Sequence, residues 1–420
     1  MKIIFWHSIF FILITYQNSI SAVSDSLYNL AVDNYNSGKF DEALKITDEI
    51  LSSTYLRDEI HNLRGVIFYQ KEDFKSALEE FNIYIKKNAK NHDVFVNRAN
   101  TYTKLKNFDK ALSDYKKALE IKPEDKHVYF NRGVFYTEFG KMIEALKDFN
   151  KAVELDNENY NYLLSRANVL YNINNFDDAL IDLNKLIKLN PDKIEPYRLR
   201  GPILQKTGDY LGSITDYNLI LTKHPDATLE LLNRGMSYQE LKNYDSAISD
   251  FSNVIRIEPN NKLAYFNRGL VYFELGEFEK SIADYDIVIN LDSGDYDAMH
   301  NRAMLHYSLK NYEKAIADLN SLIDKRNDVA DYYLNRGNCY FNLNSFENAL
   351  NDYNMALKLI PESVQIYFNR GKVYRMLGKH DDAIKDFNKF IKLAQNNETY
   401  SQYIESIKKE IEHIKTLSKP

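Results

Sequence analysis

One cysteine, Cys339, stands in 420 residues, so the chain can form no internal disulfide and no cysteine-built metal site. Lys and Arg number 54 against 60 Asp and Glu, and the two signs alternate along the chain with no basic block. A protein that tracks a phosphate backbone needs such a block, so nucleic acid is not an expected partner. The nine histidines are scattered, and none falls in a His-x-x-x-His pair of the zinc type. His300 and His306 sit six residues apart and do not share a helix face. No glycine-rich phosphate loop and no nucleophile elbow occur. The expectation is a protein that is not an enzyme and carries no metal or cofactor.

Long apolar runs are missing beyond residue 22. Before it, Lys2 leads into an apolar stretch from Ile3 to Tyr16, then the polar Gln17-Asn18-Ser19-Ile20-Ser21. A charged start, a short apolar core and small residues near its end describe a secretory signal peptide over residues 1–21. The stretch falls short of the ~20 residues that cross a bilayer. The expected location is therefore secreted, periplasmic or within the secretory pathway. An uncleaved signal-anchor, which would make the chain a membrane-anchored cytoplasmic adaptor, is the alternative. Membrane contact is expected only through this segment.

What the chain has in quantity is repetition. Arginines fall at 64, 98, 132, 166, 200, 234, 268, 302, 336 and 370, each 34 residues after the last, mostly within Asn-Arg-Gly or Asn-Arg-Ala. Twelve residues beyond each following small residue lies another, from Ala77 and Ala111 to Ala349 and Ala383. Extended backwards, the frame takes in a looser first unit with Ala31 and Ala43, so eleven units span 24–397. Within each unit apolar residues recur at three and four, the spacing of two helices that each bury one face. Seven of the 14 glycines sit at position 8 of the unit, where a larger side chain would separate the helices. Five more (Gly38, Gly140, Gly208, Gly276 and Gly378) sit at position 15, where the first helix ends in the left-handed region. Five of the eight prolines (123, 191, 225, 259 and 361) stop the second helix.

The unit from 92 to 125, with Ala99, Tyr102, Ala111, Tyr115 and Pro123, resembles the tetratricopeptide repeat family, as does 330–363 with Gly337, Tyr340, Ala349, Tyr353 and Pro361. The resemblance implies an all-α fold: a right-handed superhelical solenoid of antiparallel helix hairpins. It also implies that the first helix of each hairpin lines a concave face. After Asn397 an apolar stripe of Tyr400, Tyr403, Ile404, Ile407, Ile411, Ile414 and Leu417 reads as a capping helix over 398–420. Its mixed charges speak against the alternative of a membrane-surface helix.

Two ladders run through the repeats. Each position-7 arginine is accompanied by an acidic residue at position 23, as in Arg98 with Asp114, Arg132 with Asp148 and Arg268 with Asp284, and the first unit lacks both. Joint presence and absence predict a structural ion pair across the hairpin, with ligand binding as the alternative. Position 6 carries Asn97, Asn131, Asn233, Asn267, Asn301, Asn335 and Asn369. This resembles the asparagine ladder in the superhelix of the transferase that attaches N-acetylglucosamine to intracellular proteins, where amides hold the backbone of an extended peptide. An amide both donates and accepts, which suits any peptide unit. Bonds to the backbone of the neighbouring repeat are the alternative. Groove positions are apolar at Phe130, Leu232, Met236, Phe266, Leu270, Phe273 and Phe368. The family's clamp for chaperone tails needs lysine at position 5, which never occurs here, so docking to heat-shock chaperones is not expected.

Pro202 falls inside a first helix and predicts a kink that divides the groove, or a bend absorbed locally. The expected function is a protein-interaction scaffold that binds a protein or peptide in its concave groove. The alternative is a structural assembly component of the cell envelope or secretory pathway, held through its convex face.

Overall fold

The computed structural model describes residues 22–52 and 58–417, so the signal segment expected over 1–21 lies outside the described residues. Every long element among them is an α-helix. The chain divides into two compact units, residues 1–208 and 209–420. In the first unit the hairpins are α1 (Ala22–Asn36) with α2 (Phe40–Ser52), α3 (Glu59–Gln70) with α4 (Phe74–Lys87), and α5 (His92–Lys104) with α6 (Phe108–Ile121). They continue with α7 (Lys126–Glu138) and α8 (Met142–Leu155), then α9 (Tyr160–Asn172) and α10 (Phe176–Leu189), and close on α11 (Glu195–Lys206). The second unit opens on α12 (Tyr210–Lys223), followed by α13 (Thr228–Glu240) with α14 (Tyr244–Ile257) and α15 (Lys262–Glu274) with α16 (Phe278–Leu291). Next come α17 (Tyr296–Ser308) with α18 (Tyr312–Lys325), α19 (Ala330–Asn342) with α20 (Phe346–Leu359), and α21 (Val364–Met376) with α22 (His380–Ala394). A last helix, α23 (Ser401–Leu417), packs on α22.

The turn inside each hairpin is the same tight device. At position 15 the backbone enters the left-handed region in every repeat: Gly38, Gly140, Gly208, Gly276 and Gly378, but also Glu72, Lys106, Asn174, Lys242, Lys310 and Asn344. In the fourth hairpin of this kind the Gly276 amide donates to the Phe273 carbonyl and the Glu277 amide to the Tyr272 carbonyl, 2.9 and 2.8 Å away. This paired pattern satisfies carbonyls that the helix end would leave open. The same two bonds recur around Lys106 and Lys242. The next residue then caps the second helix, as when the Asp73, Asn107 and Asn243 side chains accept from amides three residues on.

Inside the hairpins, position 8 meets position 24. A Cβ placed on Gly65, Gly133, Gly235, Gly337 or Gly371 would stand less than 3.0 Å from the ring of Phe81, Phe149, Phe251, Tyr353 or Phe387. The glycine is therefore the space that the aromatic ring fills, and these rings are fully buried. Tyrosine at position 4 latches the preceding turn: Tyr129, Tyr197 and Tyr367 donate to the carbonyls of Pro123, Pro191 and Pro361 at 3.0 to 3.1 Å.

Helix α11 runs without a break across Pro202, and the boundary between the units follows six residues later, after Gly208. At the other end, Ile407, Ile411 and Ile414 of α23 join Phe387 and Phe390 of α22 in one buried cluster.

Candidate functional site

Odd-numbered helices touch the next odd-numbered helix in both units: α3 with α5, α5 with α7, α7 with α9, then α13 with α15, α17 with α19 and α19 with α21. Successive even-numbered helices make no comparable contact among the described residues. In a stack of wedge-shaped hairpins, the row that draws together lines the inner side. Groove positions therefore belong to the odd helices.

The arginine ladder lies within the stack. Arg98, Arg132, Arg166, Arg234, Arg268, Arg302, Arg336 and Arg370 each donate from Nε and Nη2 to both oxygens of the acid sixteen residues on, at 2.6 to 3.0 Å. This is the two-pronged geometry that suits a guanidinium and a carboxylate. A further link was not evident from sequence. The Nη1 of Arg98, Arg234, Arg336 and Arg370 donates backwards to Asn82, Asn218, Asn320 and Asn354 of the preceding hairpin, at 2.6 to 2.7 Å. Tyrosine rings flank the same guanidinium, as Tyr265 and Tyr272 do for Arg268. Burial pushes Asp114, Asp148 and Asp352 above the ordinary carboxylate range, while the paired arginine pulls them down. With the Nε and Nη2 prongs on a buried acid and, in Arg98, Arg234, Arg336 and Arg370, the Nη1 prong on the preceding hairpin, the arginine serves cohesion of the stack.

The asparagines divide by unit. Asn97 and Asn131 are only 1% and 2% exposed, which closes them to a ligand. Asn97 donates to the Asn62 side chain at 3.1 Å, and Asn131 to the His127 carbonyl of its own helix at 2.8 Å. Phe130 is buried beside them, its ring 4.9 Å from that of Tyr162. In the second unit Asn233, Asn267, Asn301, Asn335 and Asn369 remain partly exposed. Asn267 donates to the Leu263 carbonyl of its own helix, Asn301 to the Tyr285 hydroxyl, Asn335 to His300 Nε2 and Asn369 to the Asn338 side chain. None of these six bonds reaches the backbone of a neighbouring repeat. Each uses one amide hydrogen, so Asn267, Asn301, Asn335 and Asn369 keep a second donor and the carbonyl oxygen for a ligand.

The apolar groove positions also concentrate in the second unit. Leu263 is 55% exposed and Phe273 44%, with Leu229 and Met236 exposed beside them. Phe266, Leu270 and Phe368 are half-buried, whereas Leu232 is buried. Phe368 stacks against Phe390 and Tyr403, 5.3 and 6.0 Å away, which ties it to the last hairpin and α23.

Sequence reasoning missed a polar cavity of about 290 Å³ on this face, lined by Tyr307, Asn338, Phe341, Asn342, Tyr353, Gln365, Asn369 and Lys372. The signal was present, because Asn338 and Lys372 occupy position 9, the same register as Met236 and Leu270. Attention to apolar groove residues passed over them. Cys339 lies buried nearby, and burial pushes its thiol up to about 12, so it stays protonated and unreactive. Burial also holds His300 and His306 below the usual imidazole range, so they are neutral. Among the described residues no three His, Cys, Asp or Glu side chains are placed to share a metal ion, and no helix is long and apolar enough to cross a membrane.

No curated protein matches the chain. Among solved structures, a tetratricopeptide repeat protein from Parabacteroides merdae is 20% identical, with 59% of this chain and 98% of that one aligned at a TM-score of 0.43. YrrB, described as a tetratricopeptide repeat protein with an unusual peptide-binding site, is 22% identical over 44% of this chain and 96% of its own, with a TM-score of 0.41. Yeast Tom70 is 15% identical over 94% and 96% of the two chains, with a TM-score of 0.38. Models of the tetratricopeptide repeat match residues 28–92, 92–125, 127–159, 263–295, 296–324 and 364–397, and a further repeat model of the same family matches 235–276 and 337–378. With the 34-residue hairpins, the glycine-for-ring exchange and the matched segments along both units, the chain belongs to the tetratricopeptide repeat family.

Proposed function

We propose that the protein is a non-enzymatic interaction scaffold that holds an extended segment of a partner polypeptide on the odd-helix face of its second unit. The observation that carries this reading is the exposure of Leu229, Met236, Leu263 and Phe273 on that face, beside amides with unused hydrogen-bonding capacity. Apolar side chains left in water beside polar groups that satisfy a peptide backbone are what an interface of this kind requires. The first unit presents no equivalent, since Asn97, Phe130 and Asn131 are buried.

Crosslinked capture from native extract tests it, with the chain from residue 22 onward set against its Leu263→Glu, Phe273→Glu form. Both side chains are exposed in part, and circular dichroism checks that the pair leaves the fold intact. Loss of specific partners by the variant supports the reading, and recovery of the same partners by both forms contradicts it. A second reading rests on the exposed Ile143 and Ile181 of the even helices α8 and α10, which would serve an assembly component bound through its outer face. Charged substitutions there then abolish capture while those at Leu263 and Phe273 do not. Residues 1–21 we propose as an export signal, and sequencing the amino terminus of the mature protein distinguishes a cleaved signal from an anchor.

A further inference from the structure

Between α8 and α10, on the even-helix side of the first unit, a cavity of about 200 Å³ opens over α9. It lies where other hairpins keep a ring of their own. Position 11 carries a ring in eight of the ten hairpins that have the arginine, but Leu170 in the fifth and Leu204 in the sixth. Tyr102, Tyr136, Tyr272 and Tyr374 lie 5.6 to 6.0 Å from the arginine of their own helix. Tyr136 also stands within electrostatic reach of Glu144 and Asp148, and Tyr374 of Asp382 and Asp386, which are positions 19 and 23. The cavity is lined by those same positions of the fifth hairpin, Arg166, Asp178 and Asp182, with Leu170 among them. The ring is missing and its neighbours remain. Position 4 is Leu163, so among the described residues no aromatic ring flanks the Arg166 guanidinium. In the sixth hairpin Tyr197 supplies one, 5.6 Å from Arg200. Leu146 of α8 and Ile181 add apolar walls. Ile181 is 65% exposed and stands where neighbouring hairpins have Ser113, Lys147 and Thr215. Asp178 Oδ2 accepts from Asn175 at 2.7 Å, while its Oδ1 makes no hydrogen bond among the described residues.

We propose that this cavity receives a tyrosine side chain of a second partner polypeptide. The ring lies against Arg166 and over Leu170, between Leu146 and Ile181, and its hydroxyl donates to Asp178. The chain itself shows the fit, since the same register in the third, fourth and eighth hairpins holds a tyrosine of its own. A guanidinium face, an apolar floor and an acceptor at the rim suit a phenol, with its apolar body and polar tip. An aliphatic chain would leave the guanidinium face bare and Asp178 without a donor. A volume of about 200 Å³ admits one large side chain and falls below the ~300 Å³ at which small-molecule sites begin. A single aromatic anchor seated in a pocket is how interface hot spots are built. The site lies on the other row of helices and in the other unit from the face proposed above, and it does not depend on that face.

The test turns on Leu170→Tyr, which fills the cavity from within by the ring that other hairpins carry. This variant should unfold at a temperature no lower than the parent chain. A lower one overturns the inference, because the register then does not take a ring. Random dodecapeptides are selected on the chain from residue 22, and those that bind Leu170→Tyr equally well are removed. Fluorescence polarisation measures the affinities of those that remain. The expected result is a set sharing one tyrosine, bound at least about tenfold more weakly by Leu170→Tyr, with the same loss when that tyrosine becomes leucine. Exchange of the tyrosine for phenylalanine should cost less, and nothing further in Asp178→Ala. Leu263→Glu, Phe273→Glu should leave these peptides bound, so failure of the odd-helix reading and failure of this one are told apart. Remaining peptides without a shared tyrosine, or none remaining, overturn the inference. Self-association of the chain alone in sedimentation, lost in Leu170→Tyr, would make the occupant a second copy and overturn the separate partner.

Discussion

Position 8 and position 24 trade volume across each hairpin. Where position 8 is glycine, the partner is a ring: Phe81, Phe149, Phe251, Tyr285, Tyr353 or Phe387. Where it is alanine, the partner is mostly smaller, as with Ala167 and Leu183 or Ala303 and Leu319, all fully buried, although Ala99 accompanies Tyr115. Gly235→Ala is therefore expected to cost about 1–3 kcal/mol through overpacking against Phe251. Phe251→Leu in the same chain should recover most of that loss, with a coupling of at least about 1 kcal/mol. Hydrogen exchange in α13 and α14 measures it locally, and strictly additive effects would contradict the volume exchange. The arginine ladder makes a second claim. Arg268→Met leaves Asp284 buried without its partner and is expected to cost about 3 kcal/mol, with Arg268→Met and Asp284→Leu together costing less than the sum. Urea unfolding of the four forms checks it. From sequence, the joint recurrence of Arg and acid at a separation of sixteen suggested a pair. The backward bond to Asn218 or Asn354 could not be read, because it depends on how consecutive hairpins stack.

At the level of the element, a left-handed residue at position 15 recurs in all eleven repeats, yet only five of them are glycine. The sequence points to the turn through those five. It hides the other six, since Lys, Asn and Glu adopt this conformation only when the two carbonyl bonds of the turn and the following cap hold them there. Lys242→Gly should thus stabilise its hairpin by up to about 1 kcal/mol, partly offset by the freedom glycine regains when unfolded. Gly276→Ala should cost about 1 kcal/mol, and through backbone conformation alone, since nothing lies within 4 Å of the added Cβ. Thermal unfolding of both variants checks the signs, and a stabilising Gly276→Ala would contradict the account. At Pro202 the expectation is a kink or a locally absorbed bend, and α11 continues through it to Lys206, with the apolar side chains Leu199 and Ile203 buried on either side.

For the molecule as a whole, the strict 34-residue spacing marked eleven units, and the resemblance of their residues to the tetratricopeptide repeat carried the fold class. It carried much less of the site. Sequence gives every first helix the same groove positions, while burial distinguishes them: Asn97 and Asn131 are closed, and Leu263 and Phe273 are open. That difference comes from what each hairpin packs against, which no single repeat encodes. The central claim is that the open odd-helix face of the second unit receives a polypeptide. Hydrogen exchange with mass spectrometry on the chain bound to a captured partner tests this most directly. The account predicts slowed exchange in α13, α15, α17, α19 and α21, with the outward faces of α8 and α10 unchanged. Protection confined to even-numbered helices, with the odd ones unaltered, would contradict it.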